Sequence, residues 1–277
     1  MGTRSGGPAF REDVAMMVSG RDFQNHAGFS ELERYIAFYK HLADSVFNFV
    51  SLGTRAICNI DSYLLSSIQG TLTSIRTILS DGRINDAYAL LRKYYDSAII
   101  NIYSNLYLQD HFSIENFIVE QIDNWLKGKE QLPEYRIMSQ YIRSSPRVAP
   151  ITALVFADDR YKRLRDRCND HTHYNFYRNV LLNDNKIFLP DRRRALDTFS
   201  DDVRDVLILH VAYLFFASGH YMMSSDYRDS MDCGMTPEPD SEYWVAPFVQ
   251  DIFDQTVVKE RPDIAATIRQ HTSMHLA

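Results

Sequence analysis

A chain of 277 residues, 45% hydrophobic and 24% charged, is long enough to bury one large core or two small ones. Its 11 Gly and 9 Pro fall well below an average usage of roughly 12% for the pair, which excludes collagen-like, low-complexity and turn-rich all-β chains. The net charge of −6 speaks against a broad basic face for duplex DNA but permits a local phosphate site.

Residues 1–29 open with a Gly/Ser-rich stretch and read as a flexible leader; Met1 to Arg11 lacks the apolar run of a secretory signal. From Glu31, the three- and four-residue spacing of Leu32, Tyr35, Ile36, Tyr39, Leu42, Val46 and Phe49 predicts an amphipathic helix. Ser30 and Glu33 supply a capping-box pattern, and Gly53 a stop. A second helix is predicted from Thr54 to Ser80, and Asp81-Gly82 then reverses the chain. A third, with Asn85 as its cap, is apolar over most of its circumference and should be central; the pair forms an antiparallel αα-hairpin. Shorter helices follow at Ser113–Lys127 and Glu134–Ile142, and Ile151 to Arg167 reads as one helix with a basic C-terminal half. The segment from Tyr174 to Leu189 reads as a small β-hairpin or an irregular loop.

Asp191 to Ser224 is predicted as a long helix. Its stretch from Val206 to Ser225 holds no Asp, Glu, Lys or Arg, but His210, His220 and the acidic residues before it favour a core helix over a membrane span. A polar linker (225–241) and two helices at about 243–258 and 262–275 close the chain, with Pro262 in the last first turn. The aromatic stretch Ser241 to Phe253 reads as packing or a dimer surface. The fold class is therefore all-α: a main bundle over residues 30–225 and C-terminal helical additions over 226–277. Cys58, Cys168 and Cys233 form no C-x-x-C pair, which favours a reducing, cytoplasmic setting without disulfides or a structural zinc.

The densest chemistry lies at Arg160 to Asn175. Arg160, Lys162, Arg163, Arg165 and Arg167 precede Asp170, His171 and His173, and each of Arg165 and Arg167 stands six residues before a histidine. An arginine fork can hold a phosphate and a near-neutral histidine can move a proton. The same residues on a bland reading are a solvated helix end favoured by the macrodipole. Asp170, His171 and His173 could also ligate a metal in an extended segment, joined by His111, His210 or His220. Arg92 and Asp96, at i and i+4, read as a helical ion pair, with Arg76 also carried on an apolar helix. His210 and His220 read as core histidines.

Arg165-Asp166 followed by His171 resembles the Arg-x(4–6)-His signature of the HEPN superfamily, all-α bundles in which an arginine and a polar neighbour precede a histidine at a helix end. Arg167 and His173 match the spacing, with Cys168 in the polar position. The helix-turn-helix from Ile78 to Asp96 is similar to one found in abortive-infection-like families of this type. The resemblance covers about residues 55 to 225. It implies a metal-independent endoribonuclease, a toxin or antiphage defence effector that needs no cofactor and forms a homodimer, with an antitoxin or sensor as partner. It further implies Arg165 as phosphate clamp, Asp166 as orienting group and His171 as acid/base, with Arg167 and His173 as the substitute pair. Arg160, Arg163, Asn169 and Asn175 would then contact RNA. Against it stand a catalytically silent binding or scaffold protein using the same basic segment, and a metal-dependent hydrolase at Asp170, His171 and His173.

Overall fold

The computed structural model describes residues 16–47, 53–56, 60–187 and 189–277. The helices are α1 (Arg21–Gln24), α2 (Ala27–Phe47), α3 (Ile60–Ser80), α4 (Ile84–His111), α5 (Glu120–Leu126), α6 (Tyr135–Ser144), α7 (Ala149–Val155), α8 (Arg160–Thr172), α9 (Tyr177–Leu181), α10 (Arg192–Ala217), α11 (Asp226–Asp232), α12 (Pro247–Ile252), α13 (Val258–Glu260) and α14 (Pro262–His271). Pairing between extended segments, among the described residues, amounts to the isolated bridges Met223–Val245 and Trp244–His275, so the fold is all-α. No described helix is long and apolar enough to cross a membrane.

The central helix is α4, which packs against α3, α6, α8 and α10. Its apolar circumference explains this: Tyr88, Leu91, Tyr94, Tyr95, Ala98, Ile102 and Leu106 are all buried, though they point in several directions around the axis. The α3–α4 hairpin turns at Gly82, whose φ of +81 falls where a Cβ is disfavoured. A Cβ there would also run into the side chain of Val18. The C-terminal segment completes the same core: Val249, Ile252, Phe253, Val257, Ile264 and Ile268 are buried within it.

Several elements differ from the sequence expectation. Of the expected leader, residues 1–15 lie outside the described residues, whereas Met16, Val18 and Phe23 are buried and α2 begins at Ala27. Ser30 therefore sits inside the helix and donates to the Ala27 carbonyl instead of capping it. The helix expected from Thr54 begins at Ile60, after a 3-10 turn (Gly53–Ala56); Cys58 lies outside the described residues. The helix expected from Ser113 begins only at Glu120. Ser113 Oγ accepts the Asn116 N–H, and Asn116 Nδ2 donates to the His111 carbonyl, so local side-chain bonds displace helical ones.

The helix expected over 151–167 breaks between Val155 and Arg160, where Asp158 Oδ1 accepts the Arg160 N–H at 3.0 Å. The segment after Tyr174 forms α9 and turns, not a hairpin. The long C-terminal helix stops at Ala217, so His220 lies exposed in a 3-10 turn while His210 stays in the core. Part of the expected polar linker forms α11.

A polar network threads this core. His210 Nε2 meets Asn101 Oδ1 at 2.9 Å, and Nδ1 meets the Tyr39 hydroxyl at 2.8 Å. Asn101 Nδ2 donates to Asp61 Oδ1 (3.0 Å), so Asn101 Oδ1 must accept and His210 carries its proton on Nε2. Asn105 Nδ2 and the Tyr221 hydroxyl also donate to Asp61, each at 2.8 Å. Full satisfaction is what lets a buried carboxylate and imidazole coexist there.

Candidate functional site

The helix α8 carries the sequence-predicted residues, and its geometry separates them. With about 3.6 residues per turn, Arg165 and His171 lie about 120° apart around the axis, whereas Arg167 and His171, at i and i+4, lie within about 40°. Arg165 accordingly faces a cleft of about 410 Å³ lined with Tyr95, Tyr135, Phe156 and Asn169, and His171 faces another of about 470 Å³ lined with Tyr88, Arg167, Arg178 and Arg194.

On the first face the Arg165 guanidinium sits 3.3 Å above the Tyr135 ring and donates to Asp96 Oδ1 at 3.2 Å. Asp96 also accepts from Arg92 Nε at 2.8 Å, the expected i, i+4 pair, and Arg92 Nη1 donates to Asn169 Oδ1 at 2.7 Å. Asp166 lines this same cleft. Arg160 is tied to Asp158 and Asp205, and Arg163 pairs with Asp159 on the surface. Arg76 pairs with Glu33.

On the second face His171 is 8% exposed and built in from three sides. Its ring stacks on Tyr88, 3.9 Å between centroids. The amide of Asn85, one turn earlier on α4, is satisfied in only one orientation. With Nδ2 toward α8 it donates to His171 Nδ1 at 2.8 Å and reaches the carbonyls of His171 and Asn179 at 3.2 Å. The opposite orientation sets Oδ1 against those carbonyls, so the network assigns His171 as the Nε2–H tautomer. Asn85, expected as a helix cap, therefore positions the imidazole; Arg83 precedes α4 instead. Burial lowers the His171 pKa to about 4, with Arg167 and Arg178 pushing the same way and Asp170 opposing. The ring is neutral at pH 7, and Nε2 makes no hydrogen bond among the described residues.

Arg167 grips Asp202 with Nε (2.8 Å) and Nη2, and Asp202 also accepts from the Tyr88 hydroxyl at 3.2 Å. Burial pushes the Asp202 carboxyl up against the pull of that fork, yet a two-pronged guanidinium contact is the geometry of a carboxylate. Arg178 pairs with Asp191 at 3.1 Å. Asp191 precedes α10 but makes no capping bond from its side chain. The first turn of α10 carries Arg192, Arg193 and Arg194 and no acidic residue, so cations stand at the positive end of a 26-residue helix. Arg192 is wholly buried and donates from Nη2 to the Asp184 and Ile187 carbonyls, which pins the preceding loop. Arg194, exposed, forms no ion pair among the described residues.

The remaining predicted residues serve locally. His173 caps the end of α8 and is exposed. Asn175 Nδ2 donates to Asp170 Oδ1 at 2.8 Å. Asp170, His171 and His173 do not gather with other ligands: among the described residues no group of three or more His, Cys, Asp or Glu side chains is placed to hold a metal ion. His111 stacks on Tyr107 at the surface. Burial pushes the Cys168 thiol up to about 12, which removes it as a nucleophile. Asn85, Tyr88, Arg194 and Asp202 escaped the sequence reading because each meets α8 from another long helix, and Arg178, on α9 just after α8, carries no spacing signal of its own. Comparison with protein-family models, curated proteins and solved structures finds no match.

Proposed function

We propose that the protein is a metal-independent endoribonuclease of HEPN type whose working face is the His171 cleft, with Arg167, Arg178 and Arg194 around the phosphate. The observation that carries this reading is the Nε2 of a neutral histidine, without a partner among the described residues, in a cleft lined by three arginines and Asp170. In the reaction, the ribose 2′-oxygen bonds to phosphorus as its proton leaves, and the bond to the 5′-oxygen breaks as that oxygen gains a proton. The products are a 2′,3′-cyclic phosphate and a 5′-hydroxyl. The arginines hold the phosphate and stabilise charge developing on its oxygens. His171 is the imidazole within the cleft that can carry the proton; Asp170, which also lines the cleft, is engaged by Asn175 Nδ2. Acting as base requires a lone pair on Nε2, and therefore a turned Asn85 amide that accepts from Nδ1–H.

The resting tautomer favours a second reading. A neutral Nε2–H is a hydrogen-bond donor to a phosphate oxygen, and a histidine that only donates binds without cleaving. Incubating the protein with several RNAs in EDTA separates the two. Cleavage that survives the chelator, ends in cyclic phosphate and disappears in His171→Ala supports the nuclease. Phosphate-dependent binding without cleavage supports the silent binder. Sedimentation of the same samples tests the homodimer that the resemblance implies.

A further inference from the structure

Immediately after α8 the chain puts large rings into solvent. Tyr174 is 49% exposed, Phe176 60% and Tyr177 76%, three exposed aromatic rings within four residues. The turn that presents them is braced. The Asn175 N–H and the Asn179 amide both bond the Asp170 carbonyl at 3.0 Å, and Tyr174 is held at φ +50, a conformation unfavourable for a bulky residue. Phe176 lines the His171 cleft together with Arg167, Asp170, Arg178 and Arg194, and Tyr174 and Tyr177 flank Phe176 in the chain.

Apolar π faces beside phosphate-seeking guanidinium groups match a polyanion whose bases are unpaired, because a duplex hides those faces in its own stack. A two-fold contact through the same face would instead set the arginines of two copies against each other. We propose that Tyr174, Phe176 and Tyr177 are a stacking platform for unpaired bases of an RNA strand whose phosphate occupies the His171 cleft. This rests on the reading of that cleft as a phosphodiester site, and adds that the strand must be single.

The test is fluorescence anisotropy on the full chain, with a labelled 2′-O-methyl RNA of about 12 nucleotides, within the usual span of single-strand sites, offered alone and as a duplex. The single strand is expected to bind and the duplex to bind at least about 10-fold more weakly; Phe176→Ala and Tyr177→Ala should each weaken single-strand binding about 10-fold. Tyr177→Trp should keep the affinity and report stacking as strand-dependent quenching of its indole. Equal affinity of the alanine variants and wild type overturns the platform, even where wild type cleaves RNA. So does a variant that only shifts the chain from dimer to monomer in sedimentation, which makes the face a self-interface. Platform-dependent binding by a protein that cleaves nothing leaves the platform standing and removes the nuclease instead.

Discussion

The imidazole of His171 lies parallel to the phenol ring of Tyr88, 3.9 Å between centroids and 12° between planes. The hydroxyl of that same Tyr88 donates to Asp202, the carboxylate that anchors Arg167. One side chain of α4 thus sets both the orientation of the histidine and the environment of the arginine beside it. Tyr88→Phe keeps the stack and drops one hydrogen bond. It should cost about 1 kcal/mol in urea unfolding and leave the His171 titration unchanged. Tyr88→Ala opens a cavity and should cost roughly 3–5 kcal/mol.

The tautomer of His171 hangs on Asn85. Asn85→Asp places a carboxylate against Nδ1, which favours the protonated ring, so the His171 pKa should climb from about 4 toward or past its ordinary range. Long-range proton–nitrogen NMR reads the pKa and the tautomer together. An unchanged titration would falsify the role assigned to Asn85.

Arg167 and Asp202 form a pair with one partner fully buried and the other about 35% exposed. Arg167→Ala strands the carboxylate. One-sided breaks of buried pairs cost on the order of 3 kcal/mol, and less where solvent reaches the cation. Asp202→Asn in the same chain should restore part of that loss, because no buried charge remains. A double-mutant cycle by denaturant unfolding measures the coupling, and simple additivity would contradict it.

Stability should fall in mild acid. Burial lowers the pKa of His210 to about 3 and is the leading cause of the fall of His171 to about 4, so both stay neutral when folded while an unfolded histidine gains its proton below about 6.5. The unfolded state then binds more protons, and the contribution of both rings, complete above about pH 6.5, drains away as pH falls toward 4 and then 3. Urea midpoints at pH 7 and pH 5 should differ in this direction, and His210→Gln should flatten the dependence. A midpoint independent of pH would contradict neutral burial.

The two faces of α8 should also separate in function. Arg165→Ala loses its stacking on Tyr135 but stands outside the His171 cleft. It should reduce any RNA cleavage only a few-fold, whereas Arg178→Ala with Arg194→Ala, both at exposed positions, should reduce it at least about 10-fold through lost phosphate contacts. Equal losses from both sets would return Arg165 to the site.

Local rules were enough for part of this molecule. Apolar residues at helical spacing mark α2, α3, α4 and α10, the Asp81-Gly82 turn marks the hairpin, and an i, i+4 spacing marks Arg92 with Asp96, because each of these depends on neighbours within a turn or two. Where side chains bond to nearby backbone, as at Ser113, Asn116 and Asp158, the same periodicity ran on through breaks that it could not register.

The division of the Arg/His segment between two faces belonged to tertiary structure. Spacing in the sequence offered both Arg165 and Arg167, with Arg165 ahead for its polar neighbour Asp166, and the helical angle on α8, read against what packs on each side, divides them. Asn85, Tyr88 and Asp202 reach His171 and Arg167 from α4 and α10, across gaps in sequence that no local pattern spans. The sequence alone thus determined an all-α chain with a concentrated basic segment. Which of its residues share a cleft, and the proton that His171 carries there, were decided only when distant helices closed around α8, since burial and hydrogen-bond partners exist only in the packed chain.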